Sequence, residues 1–390
     1  MLRRNPTLSR LKGGYLFPEI EKRTQAFLKC NPDAKLISLG IGDTTLPLPP
    51  LIAEAMARKA LELATVQGYR GYGPEEGLQE LREAIAHTLY GDSFSFEEIF
   101  ISDGAGSDIG RLQAFLGGGL KVALQDPVYP VFLDGSLIFD AQEVRFLPCL
   151  PENNFFPDLS RAQGCDVLYF CSPNNPTGAA LSYEEMKELI SFAHRNRSLI
   201  VFDAAYVPFV QRSGFPRSIY DVEGASEVAI EVNSFSKLVG FTGVRLGWTV
   251  VPKALSYRGG EKIHADWRRF IQTFFNGASR LAQAGGLAAL TPLGRAASQK
   301  NMTYYLKNAA LLKEGLQKVV ARVYGGEHSP YLWAHFPKKK AWDLFEEFLT
   351  QFHLVTIPGS GFGPSGEEFL RLSAFGSRDS VREARARFDR

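Results

Sequence analysis

The sequence predicts an α/β protein with a mostly parallel central sheet that contains one antiparallel strand, plus a smaller α+β domain. Residues 166–206 read as strand, turn, helix and strand, and such a βαβ unit implies a parallel sheet covered by helices. Residues 245–251 form another strand-like run, about ten residues after the preceding one. A parallel crossover needs a dozen or more residues, so this strand is expected to be antiparallel to its neighbour.

The βαβ unit is marked by its strands and by a helix start. DVLYFCSP and SLIVFDAAY are short apolar runs rich in strand formers, and NNPTG between them is a turn cluster. Ser182 and Glu185 have the spacing of a capping box, which predicts that a helix begins there. VALQDP and EVAIEVN are expected to join the same sheet, within a large domain of residues 46–290.

The pattern changes after Pro292, which predicts the second domain over residues 291–390. A helical segment (301–320) is followed by the strand YLWAHF, a helix around AWDLFEEFLTQF and the strand FLRLSAF. Residues 1–45 precede the sheet and are expected to join this smaller domain or to cross to a partner subunit.

Composition excludes several classes of protein. With 390 residues, 45% hydrophobic residues and a formal net charge of +2, the chain resembles an ordinary globular enzyme and offers no global field for nucleic acid. Four cysteines without a CxxC pair indicate reduced thiols in the cytoplasm, and no histidine spacing predicts a metal site. No apolar run is long enough to predict a membrane span. The alternating charges of residues 378–390 predict a solvated helix face.

Residues 233–248, NSFSKLVGFTGVRLGW, carry the strongest functional signal. Lys237 lies among small and hydroxyl residues, with Arg245 eight positions on. A lysine beside groups that hold phosphate suits a Schiff base with a phosphorylated aldehyde, and pyridoxal phosphate is the candidate. The glycine-containing segment 102–108 precedes a predicted helix, whose N-terminus would complete a phosphate site with Ser234 and Ser236.

Five polar side chains follow the predicted strands at one edge of the sheet: Tyr129, Asn175, Asp203, Ser234 and Lys237. Ligands of open α/β sheets bind beyond the carboxyl ends of the strands, so this edge is the predicted site. Three of these side chains fit the pyridine ring of the cofactor, although each of the three also has a structural alternative. Asp203 would pair with the ring nitrogen or cap a helix, Asn175 would bind the phenolate oxygen or shape a turn, and Tyr129 would stack on the ring or fill the core.

The motifs SPNNPTG, DAAY, SFSK and GVRLGW resemble, in order and spacing, those of the fold-type I pyridoxal-phosphate aminotransferases over essentially the whole chain. Within that family, residues 15–20, 39–45, 69–77 and 273–279 are most similar to the LL-diaminopimelate aminotransferases. The resemblance implies that Lys237 forms the Schiff base. It also implies cofactor contacts from Tyr72, Ala105, Gly106, Tyr129, Asn175, Asp203, Tyr206, Ser234, Ser236 and Arg245.

The same resemblance implies the substrate contacts. Arg371 would bind the α-carboxylate as a two-pronged donor, although a surface arginine on a strand is the alternative. Further contacts would come from Tyr15, Gly42, Tyr129 and Asn175 of the same chain, and from Asn276 and Glu75 across a homodimer interface. Tyr72 would reach the phosphate across that interface.

Two positions differ from a simple carry-over of the family's contacts. Many family members carry a lysine where this chain has Gly106, so the resemblance leaves open how tightly this chain binds the distal carboxylate of the substrate. Glu75 would bind the distal ammonium of diaminopimelate, but GPEEG could simply cap the following helix.

The implied reaction is amino transfer between glutamate or 2-oxoglutarate and tetrahydrodipicolinate or LL-diaminopimelate, with ping-pong kinetics, in lysine and peptidoglycan precursor synthesis. An aspartate or aromatic aminotransferase, or a carbon–sulfur β-lyase, would share the cofactor residues. The effector-binding half of a transcription regulator is the alternative from another class. It would need an added DNA-binding domain and a basic stripe, and the sequence shows no sign of either.

Overall fold

A computed structural model of the chain describes residues 2–11, 16–320 and 322–389. Its helices are α1 Leu16–Cys30, α2 Pro50–Glu62, α3 Gln79–Tyr90, α4 Ala105–Leu116, α5 Val131–Ile138, α6 Tyr183–Asn196, α7 Phe235–Val239, α8 Ile263–Phe274, α9 Arg280–Leu290, α10 Pro292–Leu316, α11 Ala341–Gln351 and α12 Arg378–Arg387. Its strands are β1 Ile37–Ser38, β2 Ile99–Ser102, β3 Lys121–Asp126, β4 Glu143–Pro148, β5 Val167–Cys171, β6 Leu199–Asp203, β7 Ala229–Ser234, β8 Gly247–Val250, β9 Arg322–Gly325, β10 Tyr331–His335, β11 Leu354–Val355, β12 Ile357–Pro358 and β13 Phe369–Ser373.

The central sheet has seven strands in the order β2-β8-β7-β6-β5-β3-β4. Strands β3 to β7 pair in parallel, whereas β8 is antiparallel to both of its neighbours, β7 and β2. The prediction of a mostly parallel sheet with one reversed strand is therefore confirmed. Apolar side chains pack on both faces of this sheet, as its buried strands require.

The predicted βαβ unit is also confirmed. It consists of β5, α6 and β6, and β5 pairs with β6 in parallel, Cys171 opposite Asp203. The Ser182 hydroxyl accepts from the Glu185 amide at 3.3 Å, and the Glu185 carboxylate accepts from the Ser182 amide at 2.8 Å. This reciprocal capping box fixes where α6 begins. The loop that carries Asn175 must therefore fit between the end of β5 and this point.

The C-terminal part of the chain builds a second layer beside this sheet. Its antiparallel sheet has the order β12-β13-β10-β9, and β1 pairs in parallel with β11. Side chains of α1 join the same apolar cluster as α11 and the strands of the smaller sheet. Helix α1 and strand β1 thus pack with the C-terminal elements, whereas Arg10 pairs with Asp140, directly after α5, at 2.9 Å. The boundaries at residues 45 and 290 stay a prediction.

The prediction of a solvated face for residues 378–390 is wrong for Arg387. This side chain is buried and donates to the carbonyl oxygens of Phe352 and His353 at 3.2 and 2.8 Å, and it also pairs with Glu383. A guanidinium can be buried when backbone carbonyls accept its protons. The Phe352 carbonyl is free to do so because it lies at the end of α11, and the His353 carbonyl accepts from Arg387 as well as from the Ile37 amide.

Candidate active site

A cavity of about 450 Å³ opens at the carboxyl edge of the central sheet, beside the smaller sheet. Its position follows the rule for open α/β sheets. Predicted residues that line it are Gly42, Ala105, Gly106, Tyr129, Asn175, Asp203, Tyr206, Ser234, Ser236, Lys237, Arg245 and Arg371. Polar residues separated by hundreds of positions are thus brought together as predicted.

Lys237 lies in α7, directly after the end of β7. Its amine donates to the carbonyl oxygen of Gly42 and lies 5.0 Å from the centre of the Phe375 ring. Burial lowers the pKa of Lys237 to about 8; Asp43 opposes this shift, and the charges of Arg371 and Arg245 add to it. A lysine with a lowered pKa is more often neutral, which is the form that attacks an aldehyde.

Asp203 ends β6 and is buried on the floor of the cavity. Its Oδ1 accepts from the Ala205 amide at 2.9 Å in the turn after β6. The short helical turn Val207–Phe209 that follows has no side-chain cap at its start, so the helix-cap alternative for Asp203 finds no support. Burial raises the pKa of Asp203 to about 6, and hydrogen bonds from Ala205 and Cys171 oppose that shift. A cationic partner in the cavity would favour the ionised carboxylate, and a protonated pyridine is such a partner.

The opposite end of the cavity is built to receive an anion. Helix α4 begins at Ala105 after Gly104, which provides no side-chain cap, and its amides at Ala105 and Gly106 have no backbone acceptor among the described residues. Arg245 donates to the Ser236 hydroxyl at 3.2 Å. Gly104 has φ of +120°, and a Cβ there would come within 3.0 Å of the Arg245 guanidinium, so only glycine lets these groups converge.

Arg371 lies on β13 and is 1% exposed, so the surface alternative is wrong. Its Nη1 donates to Asn175 Oδ1 at 2.7 Å, and its Nη2 donates to the Gly40 carbonyl oxygen. Its Nε has no partner in the described part of the chain. A buried guanidinium costs free energy without an anion, so this one is suited to receive a carboxylate.

Sequence reasoning missed Tyr331, which also lines the cavity. Its hydroxyl lies 2.6 Å from that of Tyr206, and its ring lies 4.4 Å from the Arg371 guanidinium carbon. Tyr331 belongs to YLWAHF, whose pattern predicts a core strand. Only the pairing of β10 with β13, Trp333 opposite Arg371, brings it to the site.

Three predicted residues, Tyr72, Glu75 and Asn276, are not among those that line this cavity. Tyr15, also predicted, lies outside the described residues. Tyr72 is 86% exposed, Asn276 is exposed and Glu75 is half-buried, and none of the three lines the cavity. No capping bond from a side chain is seen at the start of α3 within the described chain, so the helix-cap alternative for Glu75 finds no support.

The residues that are present fit pyridoxal phosphate. Asp203 faces one side of the cavity, the anion-binding groups of α4 and Arg245 line another, and Lys237 supplies an amine. Together with the seven-stranded sheet, this arrangement defines a pyridoxal-phosphate-dependent enzyme of the aminotransferase fold.

Comparisons with known proteins also identify the chain as an aminotransferase. The family described as aminotransferase class I and II matches residues 34–388, and the chain belongs to this family. It is 52% identical over 392 residues to the LL-diaminopimelate aminotransferase of Protochlamydia amoebophila (strain UWE25), covering 98% of this chain and 95% of that protein. It is 50% identical to the chloroplastic LL-diaminopimelate aminotransferase of Arabidopsis thaliana, covering 99% and 86%. The solved structure of L,L-diaminopimelate aminotransferase from Chlamydomonas reinhardtii superimposes with a TM-score of 0.95 at 51% identity, covering 100% and 98%.

Across the described ranges, we find no helix that combines the length and apolar character needed to cross a membrane.

Proposed function

We propose that the protein is an LL-diaminopimelate aminotransferase. It transfers an amino group between glutamate or 2-oxoglutarate and tetrahydrodipicolinate or LL-diaminopimelate, in lysine and peptidoglycan precursor biosynthesis. The observation that carries the proposal is the identity of about half, 52% over 98% of the chain, to a protein of that name. Its four free cysteines, three of them buried, are consistent with the cytoplasmic location that we propose.

Different side chains of the cavity have different roles in the reaction. When bound, pyridoxal phosphate supplies a carbonyl carbon that amines attack and a protonated ring that accepts electron density from the substrate Cα. Asp203 keeps the ring nitrogen protonated, and the α4 amides with Ser236 and Arg245 hold the phosphate. Tyr206 and Asn175 donate to the ring oxygen.

Arg371 and Lys237 act on the substrate itself. The guanidinium binds the α-carboxylate and fixes the orientation of the Cα–H bond. Lys237 Nζ would remove the proton from the substrate Cα as a general base and, as a general acid, would release it to the cofactor's carbonyl carbon. Because one site serves both substrates in turn, the kinetics are expected to be ping-pong.

A homodimer with shared active sites is part of the proposal. Segments 71–75 and 276–280, which carry Tyr72, Glu75 and Asn276, contact each other: Arg280 donates to the carbonyl oxygens of Gly71 and Tyr72 at 3.3 and 3.4 Å. The surrounding surface exposes large apolar side chains, namely Val66, Tyr69, Tyr72 and Phe274. Such a patch is typical of a surface that another chain covers.

Substrate choice is tested by comparing amino donors with 2-oxoglutarate as acceptor. LL-diaminopimelate should exceed aspartate and aromatic amino acids in kcat/KM, and cystathionine should release no pyruvate. Glu75→Gln should lower kcat/KM for LL-diaminopimelate far more than for glutamate, whereas Glu80→Gln, an exposed acid of α3, should change neither. Equal losses of kcat/KM for both substrates would mean that Glu75 has a structural role and does not bind the distal ammonium. Preference for another amino donor would refute the proposed substrate.

A further inference from the structure

Tyr331 contacts three separate functional groups of the site from a single position on β10. Its hydroxyl is 2.6 Å from the Tyr206 hydroxyl, and its ring face lies 4.4 Å from the Arg371 guanidinium carbon. It also touches the loop before α2, because a Cβ at Gly42 would come within 3.0 Å of the Tyr331 oxygen. The carbonyl oxygen of Gly42 in turn accepts from Lys237.

We propose that Tyr331 is a positioning residue with two separable roles. Its hydroxyl directs the Tyr206 proton toward the cofactor's ring oxygen. Its ring holds the Arg371 guanidinium in the orientation that receives the substrate carboxylate. The proposal rests on the proposed function, since it concerns the cofactor and substrate of that site.

The first role follows from the hydrogen bond between the two phenols. Each hydroxyl has one proton, so only one of them can donate along the 2.6 Å contact. Both are buried, and the Arg371 charge lies against the Tyr331 ring, which favours Tyr331 as the donor. Tyr206 then has its own proton free for the cavity, and accepting a bond makes it a stronger donor.

The second role follows from the packing around Arg371. The guanidinium carbon lies 4.4 Å from the Tyr331 ring centre and 4.9 Å from that of Phe362, both within the range of cation–π attraction. These rings restrict the plane of the fork, while Asn175 and Gly40 accept two of its protons. A guanidinium held in this way loses little freedom when it binds a carboxylate.

Tyr331→Phe and Tyr331→Leu separate the two roles. In the holoenzyme the phenylalanine variant should raise the pH midpoint of the cofactor's visible absorption band by about half a unit to one unit, because one hydrogen bond is worth roughly three- to tenfold in such an equilibrium. The dissociation constant of the phenylalanine variant for glutarate, used as a dicarboxylate probe without an amine, should stay within about twofold of the wild-type value. The leucine variant should show the same spectral shift and bind glutarate roughly three- to tenfold more weakly, because the ring is lost.

Tyr324→Phe, on the adjacent strand β9, is the matched control, since Tyr324 does not line the cavity. It should change neither the pH midpoint nor the glutarate affinity.

The first role is overturned if the pH midpoint of Tyr331→Phe equals that of the wild type and of Tyr324→Phe. The second role is overturned if the phenylalanine and leucine variants bind glutarate with equal affinity. Thermal unfolding of each apoprotein identifies a variant that has simply lost its fold. Tyr331→Met, which lacks both the hydroxyl and the ring, then takes its place for either role. A wild-type protein without a visible cofactor band would instead refute the proposed function.

Discussion

The Nη1 of Arg371 donates to Asn175 Oδ1 at 2.7 Å, which joins the smaller sheet to the turn after β5 of the central sheet. Both groups are expected to bind ligands, one the substrate carboxylate and the other the cofactor's ring oxygen. The contact keeps two binding groups from different layers at a fixed separation. The site therefore depends on how the two layers pack, as well as on the residues of either one.

Arg371→Lys keeps the positive charge but removes the two-pronged geometry. We expect KM for both glutamate and LL-diaminopimelate to rise by roughly tenfold to a hundredfold, as for a lost buried charge-assisted bond. Steady-state kinetics with each substrate measure the effect. Arg322→Lys, an exposed position on β9, should be neutral. A change confined to one substrate would mean that Arg371 does not bind the carboxylate that both share.

The buried amine of Lys237 predicts a pH-dependent stability of the apoprotein. Its pKa falls from 10.5 to about 8 on folding, so between these pH values the unfolded chain binds more protons and stability rises with pH. Relative to Lys237→Met, the wild-type free energy of unfolding should increase by up to about 3 kcal/mol from pH 8 to pH 10.5. Urea unfolding of both proteins across that range provides the measurement. A constant difference would show that the amine is not desolvated.

Asp203→Asn removes the carboxylate that would pair with the ring nitrogen. We expect kcat to fall by roughly a hundredfold or more, because a charge placed to stabilise the transition state is lost. Cofactor should still bind, which absorption spectroscopy can verify. Since burial raises the pKa of Asp203 to about 6, the apoprotein with aspartate should lose stability relative to the variant as pH rises from about 4 to 6. Full activity in the variant would contradict the assigned role.

Gly42 and Gly106 both line the cavity but should respond differently to alanine. A Cβ at Gly42 would come within 3.0 Å of the Tyr331 oxygen, whereas a Cβ at Gly106 has no other described heavy atom within 4 Å. Gly42→Ala should lower apoprotein stability by about 1–3 kcal/mol, as for other overpacked sites. Gly106→Ala, in the first turn of α4, should be neutral or slightly stabilising. Equal effects in thermal or urea unfolding would contradict the packing described here.

Gly106→Lys tests the departure from many family members. A Cβ at this position meets no other described side chain within 4 Å, and an added ammonium would attract a second carboxylate. We expect KM for LL-diaminopimelate to fall by a few-fold, with a smaller change for substrates that have one carboxylate. If the ratio of KM for LL-diaminopimelate to KM for the substrates with one carboxylate does not change, residue 106 does not face the distal end of the substrate.

The sequence predicted the parts of the fold that local signals specify. Ser182 and Glu185 marked the start of α6, and the short connection before residue 245 indicated the reversed strand β8. The edge strand β4 was missed, because EVRFLP mixes charged and apolar residues in a way that many loops share. Strand β2 was also missed.

The site was predictable where one residue type performs one chemical task, as with Lys237, Asp203 and Arg245. Tyr331 was not, because its role depends on a hydroxyl contact with Tyr206, 125 positions away in the chain, and nothing local marks it. The prediction for Arg387 was wrong for a similar reason. Its charge predicted exposure, but the carbonyl oxygens that accept its protons belong to residues 352 and 353, which lie after α11 and not in α12.

The proposed reaction depends most directly on Lys237 forming a covalent bond with the cofactor. Borohydride reduction of the holoenzyme, followed by peptide mapping, should place the reduced pyridoxyl group on Lys237. A pyridoxyl group on any other lysine, or no labelled peptide at all, would contradict it.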